Sequence, residues 1–120
     1  MNEQQTCRNF YELLDQIRKR PTLYLPRHSI FDLQAFYYGY DFARLKNRLA
    51  ETDEDKEFGE FLEWLRQVCP VKTNHAWANL IFFYSMDERD ALDNFFGLLD
   101  DFKIYKANSE IIRSSLEECI

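Results

Sequence analysis

Glycine, proline, cysteine and histidine are all scarce in this sequence, and each scarcity removes a class of function. Three glycines in 120 residues, none near another, leave no glycine-rich loop to cradle a phosphate. The three cysteines, Cys7, Cys69 and Cys119, are odd in number and far apart, and they match neither a zinc-ligand nor a redox spacing. Reduced thiols in a cytoplasmic protein are the expectation. The two histidines, His28 and His75, sit in unrelated segments with no carboxylate or cysteine at ligand spacing, so no metal and no cofactor is expected. Long apolar runs are missing too. The most apolar stretch, residues 76–84, is interrupted by Asn79 and is too short to cross a bilayer. Residues 1–6 have neither a basic start nor an apolar stretch, so no secretory signal and no membrane partner are expected.

Acid and aromatic rings are what the chain has in plenty. Residues 1–50 carry eight Lys/Arg against five Asp/Glu, whereas residues 51–120 carry seven against sixteen, for a net charge of −6. The acid is bunched. Residues 51–63 hold Glu51, Asp53, Glu54, Asp55, Glu57, Glu60 and Glu63 against Lys56 alone. Residues 87–101 hold Asp87, Glu88, Asp90, Asp93, Asp100 and Asp101 against Arg89 alone. Such a field repels nucleic acid and attracts a basic partner. Eleven Phe, seven Tyr and two Trp are more rings than a core of this size consumes, so some must reach the surface, as in a binding face.

Apolar residues recur at helical spacing and nowhere alternate long enough for a sheet. The expected fold is a compact all-α bundle of five to six helices, one domain over residues 1–120. Phe10, Leu13, Leu14 and Ile17 form one face of a first helix ended by Pro21, and residues 22–28 are expected to be extended. Ser29 opens a second helix through a capping box with Asp32, running to about Leu49. Its two apolar stripes, through Ile30, Leu33, Tyr37 and Tyr40 and through Phe31, Ala35, Tyr38, Phe42, Leu45 and Leu49, suggest a central helix packed on both flanks. Close approach of a neighbour is the expected reason for Gly39 in its middle. Thr52 or Asp53 caps a third helix with a seam of Phe58, Phe61, Leu62, Leu65, Val68 and Cys69, its acids facing away. Asn74 begins a fourth, with Trp77, Leu80, Ile81 and Tyr84 inward. Asp87 caps a fifth along Ala91, Leu92, Phe95, Leu98, Leu99 and Phe102. The tail from about residue 108 forms a short sixth helix through Ile111, Ile112 and Leu116, or frays.

No catalytic constellation accompanies this framework. Serines fall at caps or in the tail, and no carboxylate pair is singled out by spacing, so an enzyme is not expected. The basic run Arg18, Lys19, Arg20, continued by Arg27, offers the alternative of a nucleic-acid-associated regulatory protein. Against it, cations at the end of the first helix oppose the dipole, and a pI of about 4.9 is the reverse of a nucleic-acid footprint. An arginine of this run paired with an acidic helix is a structural reading of the same residues. Exposed acidic faces are ordinarily solubilising, but seven acids in thirteen residues exceed that need, and Trp64 places a ring beside them. Charge for encounter and rings for desolvated anchoring suit a face for a basic protein.

Two segments carry a resemblance. One is Arg20-Pro21-Thr22-Leu23-Tyr24-Leu25, followed by Ser29-Ile30, Leu33, Ala35-Phe36 and Gly39-Tyr40. The other is His75-Ala76-Trp77 with Leu80-Ile81, followed by Phe95-Phe96-Gly97-Leu98-Leu99-Asp100-Asp101-Phe102. Together they resemble small bacterial immunity proteins encoded beside polymorphic toxins, including those of contact-dependent growth inhibition systems; Pro26 stands where that pattern has glycine. The resemblance implies a non-enzymatic cytoplasmic inhibitor that binds its cognate toxin domain, often a nuclease, an RNase more than a DNase. It spans residues 9–103 apart from the acidic third helix. The residues expected to contact the toxin are Glu54, Glu57, Glu60, Glu63 and Trp64, then Asp87, Asp90 and Asp93. Arg20, Tyr24 and Tyr40 belong either to that interface or to a structural cluster with Arg20 on a ring.

Overall fold

Asn9 starts the first helix by accepting, at its side-chain oxygen, the Glu12 N–H at 2.9 Å. The computed structural model describes residues 9–68 and 76–118, with side chains as far as residue 110. Helix α1 (Phe10–Lys19) buries Phe10, Leu14 and Ile17, and Arg18 and Lys19 occupy its last turn. It stops where Pro21 forces Arg20 out of the helical region, to φ −142° and ψ 71°. Residues 22–28 are not extended throughout, as expected from the two prolines. Pro21 instead sits at the first position of a one-turn helix, α2 (Pro21–Tyr24), where its fixed φ is already helical and its missing N–H costs nothing. Leu25, before Pro26, then returns to extended backbone and is buried.

Ser29 caps α3 (Ile30–Lys46), its hydroxyl oxygen accepting the Phe31 N–H at 3.1 Å. The expected box is not closed by Asp32. The Ser29 N–H already donates to the Arg27 carbonyl, so Asp32 takes the Arg27 N–H at 2.8 Å and its guanidinium. Helix α3 ends at Lys46, short of Leu49, in a turn that puts Arg48 at φ 55°. In α4 (Asp53–Val68) it is Thr52, not Asp53, that caps. Its hydroxyl accepts the Asp55 N–H at 3.0 Å and its N–H donates back to the Asp55 carboxylate at 3.4 Å. Helix α5 (Trp77–Phe83) follows, and Asp87 caps α6 (Glu88–Glu118) by accepting the Asp90 N–H at 2.8 Å. The expected separate sixth helix does not exist, because α6 runs unbroken for 31 residues, about 46 Å. The described residues form six helices and no strand, an all-α bundle in which α6 packs against α3, α4 and α5, and α1 against α4 and α2.

The core is a chain of rings and aliphatics from every long helix: Phe10 and Leu14 of α1, Ile30 and Leu33 of α3, Phe58, Phe61 and Leu65 of α4, Trp77 of α5, Phe95 and Phe102 of α6. Phe58 is its hub, with ring centroids 4.9 Å from Phe10 and from Tyr37 and 5.7 Å from Phe61. Helix α3 is not the central helix. Its first stripe buries Ile30 and Leu33 and half-buries Tyr37 and Tyr40, but Tyr38, Phe42, Leu45 and Leu49 of the second stripe face solvent. Gly39 meets no close neighbour, since nothing lies within 4 Å of where a Cβ would be. Val68 and Tyr84 are also exposed rather than inward. No helix among the described residues is long and apolar enough to cross a membrane. Cys7, Cys69, Cys119, Asn74 and His75 lie outside the described residues, as do the side chains of Ile111, Ile112 and Leu116.

Asp55 ties the bundle together. Counted in the sequence with the acidic surface, it is buried. Its carboxylate accepts the Phe10 N–H at 3.1 Å, at the start of α1, and the Tyr40 hydroxyl of α3 at 3.2 Å, while also closing the cap of its own helix.

Candidate functional site

The acidic residues of α4 divide between structure and surface. Glu57 does not face away from the seam as its spacing suggested; it is half-buried against α1 and α6. Its carboxylate lies 3.1 Å from the Lys106 ammonium, and Glu60 lies 2.7 Å from the same nitrogen. The two carboxylates, Glu60 first, raise the Lys106 pKa and keep it charged. Burial, followed by Glu57, pushes the Tyr11 hydroxyl far above its usual range, although that hydroxyl makes no hydrogen bond of good geometry. The Tyr11 ring in turn carries Lys103 of α6 at 4.7 Å from its centroid. Glu54 and Glu63 are exposed.

Beyond Lys106, α4 and α6 diverge into an open groove of about 420 Å³. Its floor and walls are rings: Trp64 lies 5.5 Å from Phe102 and 6.2 Å from Tyr105, and it stacks at 26° on Phe61 of the core. Its rim is acidic, with Glu60 and Glu63 from α4 and Glu110 from α6 around Lys106. The groove thus gathers Glu60, Glu63 and Trp64 of the expected set, with Glu57 behind them. Sequence reading missed Tyr105, Lys106 and Glu110. Their signal is the periodicity of Phe102, Tyr105, Lys106 and Ser109, which continues one face past the point where the fifth helix was expected to end. Half-buried rings beside carboxylates form a receptor for a lysine or arginine side chain, which gains from the ring faces and from charge-assisted hydrogen bonds together.

The second acidic cluster is elsewhere. Asp87 is consumed as the cap of α6, and Asp90 accepts the Met86 N–H at 2.9 Å within the same turn. Asp93 lies 2.9 Å from His28 Nε2, which fastens the segment before α3 to α6, and the Ser29 hydroxyl donates to Glu88 nearby. These residues lie at the cap and within the first two turns of α6, whereas Lys106 is thirteen residues further than Asp93, about 20 Å along the axis. The two clusters therefore do not form one face. Asp93 borders a larger groove of about 670 Å³ between α5 and α6, which is mainly apolar and has Asp101 on its rim.

The basic run is also dispersed into the bundle. Arg18 makes a two-pronged pair with Asp100, at 2.9 and 2.8 Å, and lies 5.3 Å over the Phe96 ring. That hydrogen-bonded pairing lowers the Asp100 pKa and raises that of Arg18. Arg27 is bound by Asp32 and lies 3.7 Å from Glu88. The arginine over a ring is thus Arg18; Arg20 is exposed, and Tyr40 is engaged with Asp55. Among the described residues no group of three or more His, Cys, Asp and Glu side chains is placed to hold a metal ion.

The chain matches no family model, and no curated protein or solved structure matches it.

Proposed function

We propose that this chain is a cytoplasmic immunity protein, a binding protein rather than an enzyme, that neutralises a cognate toxin domain through the groove between α4 and α6. The observation that carries the reading is the acidic, ring-lined groove itself, with Glu60, Glu63 and Glu110 around Trp64 and Tyr105. A nuclease presents a basic groove to nucleic-acid phosphates, and fixed carboxylates occupy the same positions without being cleavable. Lys106 holds Glu57 and Glu60 in place, so their free lone pairs are oriented before the partner arrives and less side-chain entropy is lost on binding. The engagement of Arg18 and Arg27 with carboxylates argues against the basic run as a nucleic-acid surface.

The test uses the toxin domain encoded beside this chain's gene. Co-purification of the two, and rescue of cells expressing the toxin, are expected. Charge reversal of Glu60 and Glu63 together is expected to weaken binding by roughly a hundredfold and to flatten its salt dependence. Absence of both binding and rescue overturns the reading. Binding that ignores the double reversal overturns the choice of face.

A further inference from the structure

The second stripe of α3 has a use that the fold leaves open. Phe31, Ala35, Tyr38, Phe42 and Leu45 follow one another at intervals of 4, 3, 4 and 3, a spacing that suits a helix–helix seam. The seam is not covered by the bundle: Tyr38 is 50% exposed, Phe42 65% and Leu45 61%, with Leu49 at 61% just beyond the helix end. Only its first residue is partly capped, by Phe82 of α5 at 5.2 Å. Four side chains of this size leave on the order of 400 Å² of apolar surface in water, the scale at which a patch marks an interface.

We infer that a second copy of this chain docks on this seam, α3 against α3 and antiparallel. The seam is complementary to itself in that direction. A two-fold axis level with position 40 sets Tyr38 opposite Phe42 of the second copy and Ala35 opposite its Leu45, so a small side chain faces a large one. Gly39 falls beside the axis, and its open surroundings let the two backbones approach there. The charges choose the same direction. An antiparallel pair places Lys46 and Arg48 of the two copies at opposite ends of the seam, whereas a parallel pair sets them against themselves. Asp41, which meets its own copy near the axis, is already neutralised by Arg44 at 2.8 Å. The two exposed stripes with their flanking residues bury roughly 1,000 Å², the low end for a specific interface, so association in the micromolar range is expected. None of the seam residues belongs to the groove between α4 and α6, so this inference stands or falls independently of the toxin reading.

Sedimentation equilibrium of the full chain over the micromolar range tests it. A mass rising from one chain to two is expected, with Phe42→Glu shifting the equilibrium by at least about tenfold toward the monomer at unchanged helicity. The direction is read by cross-linking with a short bis-maleimide, against the background of the three native cysteines. Gly39→Cys is expected to cross-link. Lys46→Cys is not, because antiparallel pairing separates the two positions by about 20 Å. A chain that stays monomeric, a dimer indifferent to Phe42→Glu, or efficient cross-linking at Lys46→Cys each overturns the inference.

Discussion

Arg48 holds φ 55°, a left-handed conformation that costs a residue with a Cβ about 1 kcal/mol relative to glycine. The position is forced by the way α3 ends: the Leu49 N–H donates to the Arg44 carbonyl at 3.0 Å and the Arg48 N–H to the Leu45 carbonyl at 3.1 Å, a Schellman closure whose turning residue is usually glycine. Arg48→Gly is therefore expected to stabilise the protein by about 1 kcal/mol, read as a higher urea midpoint at unchanged slope. Conformation at a single residue also explains why the acidic residues, alike in sequence, diverge in role. Asp87 is a cap, Glu57 is an anchor for Lys106, and Glu63 remains a surface charge.

Among the elements, the junction of α1, α3 and α4 depends on one carboxylate. Asp55 accepts from the first N–H of α1, from Tyr40 of α3 and from the cap of α4, so one carboxylate joins those three helices. Asp55→Ala removes all of them and strands a buried N–H and a half-buried hydroxyl, so a loss of about 3 kcal/mol is expected in denaturant unfolding. Asp53→Ala, a neighbouring exposed acid on the same helix, is expected to change stability by less than about 0.5 kcal/mol. Helix α6 organises the opposite side. Its length lets one element close the core with Phe95, form the groove with Tyr105 and clasp α4 through Lys106.

For the molecule as a whole, the tyrosines buried against acid set an alkaline limit. Burial, and then Asp55, pushes the Tyr40 hydroxyl up to about 12, and Tyr11 and Tyr37 are raised in the same direction, burial again being the larger cause. The folded value exceeds the unfolded one, so this contribution is complete below about pH 10 and is lost as pH rises through the folded value near 12. Denaturant midpoints measured across that window are expected to fall for the wild-type chain and to fall less steeply for Tyr40→Phe. By itself, the sequence determined the all-α class, the caps at Ser29 and Asp87 and the core stripe from Ala91 to Phe102, because these depend on spacing along one chain; between Thr52 and Asp53 as the cap of α4, the structure chose Thr52. Only the tertiary structure decided which apolar stripe of α3 is covered and which acids are neutralised. It also decided that Asp55 is interior and that Trp64 meets Tyr105, forty-one residues away, to wall a groove. Those outcomes depend on which helices meet, and one helix's periodicity does not name its neighbour.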